Sequence, residues 1–176
     1  ELRINAQVSI TQGESFWVKA DARGKGFLDG LEVEVKGSRL VIGGNRELKR
    51  LLDADRRFPA VRVQVTLPQV EGLYLQGSGE MLLTSGITGA GDFTVNISGS
   101  GDVDLRNVSV GGKVTLSLSG SGDIKAVKLR GSAVTVALEG SGDIVVEEAV
   151  ESVEAIDCTL SGSGDLRLPD LAGASL

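Results

Sequence analysis

Residues 114–126, with the sequence VTLSLSGSGDIKA, decide the fold of this chain. Val114, Leu116 and Leu118 alternate with threonine and serine, and the alternation resumes after the glycines at Ile124. An apolar residue at every second position is typical of a β-strand with one buried face. The stretch therefore predicts a strand that runs into a Gly-Ser-Gly-Asp tetrapeptide and leaves it with the same side facing inward.

The Gly-Ser-Gly-Asp tetrapeptide recurs through the second half of the chain. Its copies begin at Gly77 (where Glu replaces Asp), Gly99, Gly120, Gly140 and Gly162, with spacings of 22, 21, 20 and 22 residues. A strand-rich unit of this length, repeated in tandem, is typical of one turn of a parallel β-solenoid. Connections between parallel strands are almost always right-handed. We therefore predict an all-β fold, a right-handed parallel β-helix (solenoid) with about 20–22 residues per rung.

The glycines of each tetrapeptide fall at the inward positions of the alternation, and the serine and the acid fall at the outward ones. Where a rung turns a corner, an inward Cβ would clash with the neighbouring chain, and only glycine fits. The outward serine and aspartate can accept hydrogen bonds from backbone N–H groups at such a bend. The tetrapeptide thus predicts the corner of each rung.

We predict one β-solenoid domain over residues 1–176. Residues 69–176 hold the Gly-Ser-Gly-Asp rungs, and residues 1–68 form an amino-terminal β section or cap. In that section, residues 61–67 and 31–42 show the alternation of strands. Residues 45–57 are a charged insertion with room for one or two helical turns. Whether the amino-terminal section continues the helix or caps it separately stays open at this point.

Composition excludes several classes of function. The chain has 176 residues, a formal net charge of −6 and no histidine, so it has no Ser-His or Cys-His nucleophile pair and no His-ligated metal site. Its acidity argues against nucleic acid as a partner, because nucleic-acid binders carry a basic surface. No apolar run approaches the roughly 18 residues that a transmembrane helix needs.

Cys158, the single cysteine, falls at an inward position, and we expect it to be a buried small hydrophobe.

The repeat and the stretch that leads into it resemble a known family. The sequence VRVQVTLPQVEGLYLQGSGE at Val61–Glu80, followed by the tandem Gly-Ser-Gly-Asp copies, resembles the bacterial GIN domain family, the head of an autotransporter adhesin. The stretches Val8–Gly13 and Leu31–Ile42 are similar to the earlier strands of that family. The resemblance implies a right-handed β-helix-like fold in a protein exported across the inner membrane of a bacterium. It supplies no catalytic residues.

The candidate site is an outward column of acids, one on each rung: Asp102, Asp123, Asp143 and Asp165, with Glu80 at its start. Stacked carboxylates repel, by about 0.9 kcal/mol per neighbouring pair in bulk water at a rung spacing of about 4.8 Å. Hydrogen bonds to backbone amides at the turns would relieve that repulsion. The alternative is a Ca²⁺ ion that bridges two rungs through carboxylates and carbonyls. We expect no resident metal and no cofactor.

The leading functional expectation is a non-catalytic bacterial surface or binding module, adhesin-like, that presents a repetitive polar β face. Its partner would be a cell-envelope polymer, a glycan or a protein. We expect an extracytoplasmic location, in the periplasm, on the outer membrane or secreted, with a signal peptide already removed. One alternative is a carbohydrate-active β-helix enzyme, a polysaccharide hydrolase or lyase, because paired carboxylates serve glycoside chemistry. Another is a structural module whose copies associate end to end, so oligomerisation stays open.

Overall fold

A computed structural model describes residues 1–55 and 59–169 of the chain. It is mostly β, with 61% strand and 8% helix, arranged as a β-solenoid of about 5 turns. The all-β solenoid predicted from the repeat is confirmed. Two sheets, built mainly of parallel strands, form its walls. The apolar side chains of both sheets lie between them.

The elements follow one another in an amino-terminal section and a repeat region. The amino-terminal section contains β1 (Gln7–Gln12), β2 (Trp17–Ala22), α1 (Lys25–Asp29), β3 (Leu31–Lys36), β4 (Arg39–Gly44), α2 (Arg46–Ala54) and β5 (Val61–Leu67). The repeat region contains β6 (Gly72–Gly77), β7 (Glu80–Leu83), β8 (Ile87–Gly89), β9 (Phe93–Gly99), β10 (Asp102–Val110), β11 (Lys113–Gly120), β12 (Ile124–Arg130), β13 (Ala133–Gly140), β14 (Ile144–Glu151), β15 (Ala155–Gly162) and β16 (Leu166–Arg167).

Each rung contributes one strand to each of the two sheets. The five-stranded sheet has the order β15-β13-β11-β9-β6, and all its strands are parallel. The nine-stranded sheet has the order β16-β14-β12-β10-β7-β1-β5-β2, with β8 paired to β10. Since successive rungs pair in register, like residues stack, and Leu118 lies between Ile97 and Leu138. All three are fully buried, so the alternation of the sequence translates directly into a core.

The tetrapeptides form the corners between the two sheets, as predicted. The first glycine of each adopts a positive φ, between 129° and 138° from Gly99 to Gly162. Side chains rarely adopt that conformation, so this glycine is required for its backbone as well as for its size. At the second glycine, for example Gly122, an added Cβ would lie far inside van der Waals contact with the carbonyl oxygen of Gly101 on the preceding rung.

The amino-terminal section extends both walls of the solenoid. β1 pairs in parallel with β7 on one side and with β5 on the other, and β2 closes that sheet by antiparallel pairing with β5. On the opposite wall, the β3–β4 hairpin joins β6 through the bridges that Leu2 makes to Leu75 and Ile42. This section therefore continues the sheets, and its antiparallel strands form their last members.

The charged insertion contains a helix, as its sequence predicts. Asn45 caps α2 by accepting a hydrogen bond from the N–H of Leu48 at 2.9 Å. Leu48 and Leu52 lie one turn apart and are buried against the hydrophobic core. Arg56 and Arg57, also part of the predicted insertion, lie outside the described residues. The short helix α1 was not expected from the sequence.

The prediction for Cys158 is wrong. Cys158 does lie at an inward position, in register with the buried Val136, yet it is exposed. Its neighbour Leu160, in register with Leu138, is 52% exposed. Inward position buries a side chain only where another rung or the opposite sheet covers it, and among residues 1–55 and 59–169 no strand pairs with the outer side of β15.

Candidate functional site

The four aspartates of the predicted column form a continuous hydrogen-bonded ladder. The Oδ1 atom of Asp102 accepts a hydrogen bond from the backbone N–H of Asp123 at 2.9 Å. The same bond joins Asp123 to the N–H of Asp143 at 3.1 Å, and Asp143 to the N–H of Asp165 at 2.9 Å. The first three carboxylates therefore each satisfy an amide of the next rung, at the corner where the backbone leaves the regular pairing of the sheets.

The ladder explains how stacked acids are tolerated. A hydrogen bond to a charged acceptor contributes about 1.5–3 kcal/mol, more than the repulsion of about 0.9 kcal/mol between exposed carboxylates at rung spacing. The sequence-based expectation that turn amides bind these acids is confirmed. The sequence reasoning missed that the amide belongs to the following rung, although the register of the repeat could have predicted it.

Two further acids make similar bonds. Asp92, the last residue of a related Gly-Ala-Gly-Asp sequence at residues 89–92, lies at the corner that leads into β9 and accepts a hydrogen bond from the N–H of Lys113 at 2.8 Å. Glu80 lies in register with Asp102 and accepts a hydrogen bond from Nε2 of Gln7 at 2.7 Å. The acids thus serve as rung-to-rung connectors along the length of the solenoid.

A metal site would need several of these ligands around one point. Over residues 1–55 and 59–169, no three acidic or cysteine side chains gather closely enough to hold a metal ion. The aspartates are spaced along a line, one per rung, and three of them, Asp102, Asp123 and Asp143, already have an amide as a partner. Calcium, which takes six to eight oxygen ligands, would have to draw most of them from water and carbonyls here.

The outer faces of the two sheets differ in chemistry. In the repeat region, the outward residues of the five-stranded sheet are mainly threonine, serine and asparagine, stacked in register. Thr94, Thr115 and Thr135 form one column, and Asn96 lies next to Ser117 in another. We call this surface the Ser/Thr face; its strands carry three charged residues, Lys113, Glu139 and Asp157.

The nine-stranded sheet presents the charged face. Its strands in the repeat region carry eleven charged residues, Glu80, Asp102, Asp104, Arg106, Lys125, Lys128, Arg130, Glu147, Glu148, Glu151 and Arg167. Opposite charges are adjacent on this face: Asp104 is in register with Lys125, and Lys128 Nζ lies 3.1 Å from Glu151 Oε1. Lys128 therefore balances an acid of the neighbouring strand within the sheet.

A cavity with a volume of about 400 Å³ lies in the amino-terminal section, where the β3–β4 hairpin meets β6. Its wall includes the buried side chains of Val8, Ile10 and Leu73. At its rim, the guanidinium of Arg39 stacks over the ring of Tyr74, with its central carbon 4.0 Å from the ring centroid. No sequence pattern indicates this cavity, because it depends on how the hairpin docks against β6.

The carboxyl group of Glu1 at this rim is not suited to acid catalysis. Nε of Arg3 donates a hydrogen bond to Oε1 of Glu1 at 2.7 Å, and Nη1 of Arg39 lies 3.8 Å from Oε2. The hydrogen bond from Arg3 lowers the pKa of Glu1 below its ordinary value. A glycosidase acid needs the opposite shift, a pKa raised towards neutrality.

The fold and its surfaces define a class of protein, a repeat solenoid with two flat outer faces of different polarity. Among the described residues, no helix is both long and apolar enough to cross a membrane. The chain belongs to the family described as "Putative auto-transporter adhesin, head GIN domain", whose model matches residues 1–170. The resemblance seen in the sequence is confirmed.

Two solved structures are similar to the chain. A protein from Bacteroides fragilis NCTC 9343, described as a putative adhesin, is 17% identical, with 94% of this chain and 89% of that chain covered and a TM-score of 0.66. A protein from Parabacteroides distasonis ATCC 8503, described as a putative lipid binding protein, is 17% identical, with coverage of 96% and 92% and a TM-score of 0.48. At this identity the first similarity concerns the fold alone. None of the curated proteins matches the chain significantly.

Proposed function

We propose that this chain is a non-catalytic, extracytoplasmic binding module that presents its Ser/Thr face to a polymer of the bacterial cell envelope. The observation that carries the proposal is the difference between the two outer faces. Hydroxyl and amide groups stack in register on one face, whereas the other face carries charged groups, among them the ion pair of Lys128 and Glu151. The family description as an adhesin head supports the same role.

The regular spacing of the Ser/Thr face suits a repetitive ligand. Rungs that stack at about 4.8 Å place equivalent hydroxyl groups at equal intervals. Each hydroxyl can donate one hydrogen bond and accept two, so it can bind the hydroxyl and amide groups of a glycan. Single contacts of this kind are weak, and affinity would come from their number along the stack.

The positions of the acids weigh against the alternative of a polysaccharide-cleaving enzyme. Glycoside hydrolysis needs two carboxyl groups that face each other across the scissile bond, about 5–9.5 Å apart. The aspartates of the ladder instead follow one another along a single corner, and Asp102, Asp123 and Asp143 each accept a hydrogen bond from an amide. The rungs also vary by only two residues in length, which leaves little chain for a groove.

The proposal can be tested with matched variants on the two faces. Asn96 lies outward on β9 of the Ser/Thr face, and Asn107 lies outward on β10 of the charged face; both are exposed. We would compare Asn96→Arg and Asn107→Arg for retention on an array of peptidoglycan fragments, lipopolysaccharide and capsular polysaccharides. Asn96→Arg should weaken retention by about tenfold or more, because it places an unpaired charge in the contact.

The control variant Asn107→Arg should bind like the unaltered chain. Equal loss in both variants, or loss only in Asn107→Arg, would contradict the assignment of the Ser/Thr face. Shortening of any arrayed polymer by the unaltered chain would show an enzyme and overturn the proposal altogether.

A further inference from the structure

Within residues 1–55 and 59–169, the solenoid ends on its carboxyl-terminal side in an apolar strand edge. β15 is the last strand of the five-stranded sheet among the described residues. Ile156, Cys158 and Leu160 point to the inside of the solenoid, yet Ile156 is only partly buried and the other two are exposed. An edge strand also leaves half of its backbone N–H and C=O groups without strand partners, and such an edge is a template for pairing with another chain.

The composition of this edge differs from that of the opposite end. The amino-terminal end has charged edge strands: β2 carries Lys19 and Asp21, and β3 carries Glu32, Glu34 and Lys36. Charged side chains on an edge strand prevent pairing with other chains. β15 carries one charged residue, Asp157, and a β3 edge brought beside it, with two glutamates and one lysine, would bring a net negative charge near that acid. The charges therefore disfavour a head-to-tail fibre.

We propose that two copies of this chain associate tail to tail, through antiparallel pairing of β15 with β15 of the second copy. The pair has twofold symmetry and is closed, so it does not extend into a filament. The inner faces of both copies must lie on the same side of the joined sheet. An inward residue of one β15 must therefore lie opposite an inward residue of the other. Pairing of Ile156 with Leu160 of the second copy satisfies this condition and covers both apolar side chains.

That register has two consequences for the remaining residues of β15. Asp157 lies opposite the neutral Thr159 of the second copy, so the two aspartates do not face each other. Cys158 lies opposite Cys158 of the second copy, on the twofold axis. Opposed residues in antiparallel strands have Cα atoms about 4.5–5.5 Å apart, within the range of about 4.4–6.8 Å that a disulfide spans.

Cross-linking of the full chain through its native cysteine tests the proposal. Sedimentation should show a concentration-dependent dimer, and copper-phenanthroline oxidation should convert that dimer into a disulfide-linked species of twice the mass. Leu160→Lys should give a monomer and lower the cross-linking yield by about tenfold or more, because a lysine on the edge opposes pairing. Since Leu160 is 52% exposed, this variant should still fold, which circular dichroism would verify.

Two control variants keep the test specific to β15. Val35→Lys introduces the same side chain at the other end of the solenoid, where Val35 is 66% exposed, and should leave the dimer and its cross-linking unchanged. Cys158→Ser should still sediment as a dimer but should not cross-link. A monomer at high concentration whose Cys158 is not cross-linked would overturn the proposal, as would a dimer that Val35→Lys disrupts and Leu160→Lys does not.

Discussion

The inner rungs and the carboxyl-terminal rung have the same sequence pattern but different environments. Leu138 and Leu160 lie in register on neighbouring strands and precede equivalent glycines, yet Leu138 is fully buried and Leu160 is 52% exposed. A rung of a solenoid gains its burial from the rungs on either side. The repeat therefore encodes which side of a strand faces inward. The adjacent rungs determine whether that side is buried.

The largest expected effect comes from truncation of these two leucines. Leu138→Ala should lower the free energy of unfolding by about 2–5 kcal/mol, because it removes buried methyl groups and leaves a cavity. Leu160→Ala should cost less than about 1 kcal/mol, because much of that side chain already contacts water. Urea denaturation of both variants at low protein concentration measures the difference. Equal losses would show that the last rung is covered and that the comparison is wrong.

The glycine corners provide the second test, within the inner rungs. Gly122→Ala should lower the free energy of unfolding by about 1–3 kcal/mol or more, because the added methyl group meets the backbone of the preceding rung and the rungs must move apart. Gly91, in the weaker Gly-Ala-Gly-Asp copy, has no atom within 4 Å of an added Cβ. Gly91→Ala is the matched control and should leave the free energy of unfolding nearly unchanged. Urea denaturation of both variants measures the difference. A neutral Gly122→Ala would contradict the close stacking of the corners.

The sequence predicted the inner rungs well because each one is specified by its own pattern. The alternation from Val114 to Ile124 marks the inward side, and the glycines mark the corner, so local residues and the repeat period suffice to place them. The ends were predicted less well. Cys158 has the same inward position as Val136 but no described strand beyond it. No pattern within a rung reports whether the next rung exists.

The candidate site was likewise predicted in part. The spacing of Asp102, Asp123 and Asp143 indicated an outward column, and the structure places them in one. The amides that donate to these aspartates are determined by the register between adjacent rungs. That register can be inferred from the sequence only after a solenoid fold has been assumed. The cavity beside Arg39 could not be predicted, because its walls come from several separate segments whose relative position no repeat specifies.

The aspartate ladder gives a third, smaller contrast between inner and terminal rungs. Asp123→Ala removes the acceptor of the Asp143 N–H and should cost about 0.5–1.5 kcal/mol, because the loss of this bond to a charged acceptor is partly offset by the removal of repulsion between neighbouring carboxylates. Asp123→Asn keeps an acceptor oxygen and removes one repelling charge, so its stability should match that of the unaltered chain. In Asp165→Ala the cost should be smaller, since among the described bonds Asp165 accepts only from Arg167 within its own rung. Identical unfolding midpoints for Asp123→Ala and Asp165→Ala would argue against the ladder.

The thiol of Cys158 offers a fourth test, sensitive to pH. Desolvation of the thiol by the protein around it, with a further contribution from the neighbouring Asp157, raises the pKa of Cys158 above its ordinary value. The folded chain therefore holds less thiolate near pH 8.5 than the unfolded chain does, and iodoacetamide should alkylate it more slowly. The alkylation rate is measured across pH on dilute folded protein and on the urea-unfolded chain as reference. Each series gives the pH midpoint at which the Cys158 thiol ionises. Asp157→Asn should move the folded midpoint towards lower pH; a folded midpoint at or below the unfolded one would contradict this environment.

The smallest expected effect is that of calcium on the aspartate column. A resident Ca²⁺ would stabilise the folded state by mass action, so its removal with EDTA would lower the melting temperature. We expect the melting temperature to be the same in millimolar calcium and in EDTA, because each inner carboxylate is already bonded to an amide of the next rung and the acids lie along a line. Asp123→Asn serves as the control, since it weakens any bridge between the second and third rungs of the ladder. A calcium-dependent rise in the unaltered chain that this variant abolishes would identify the column as a cation site and would assign the ladder a second role besides joining the rungs.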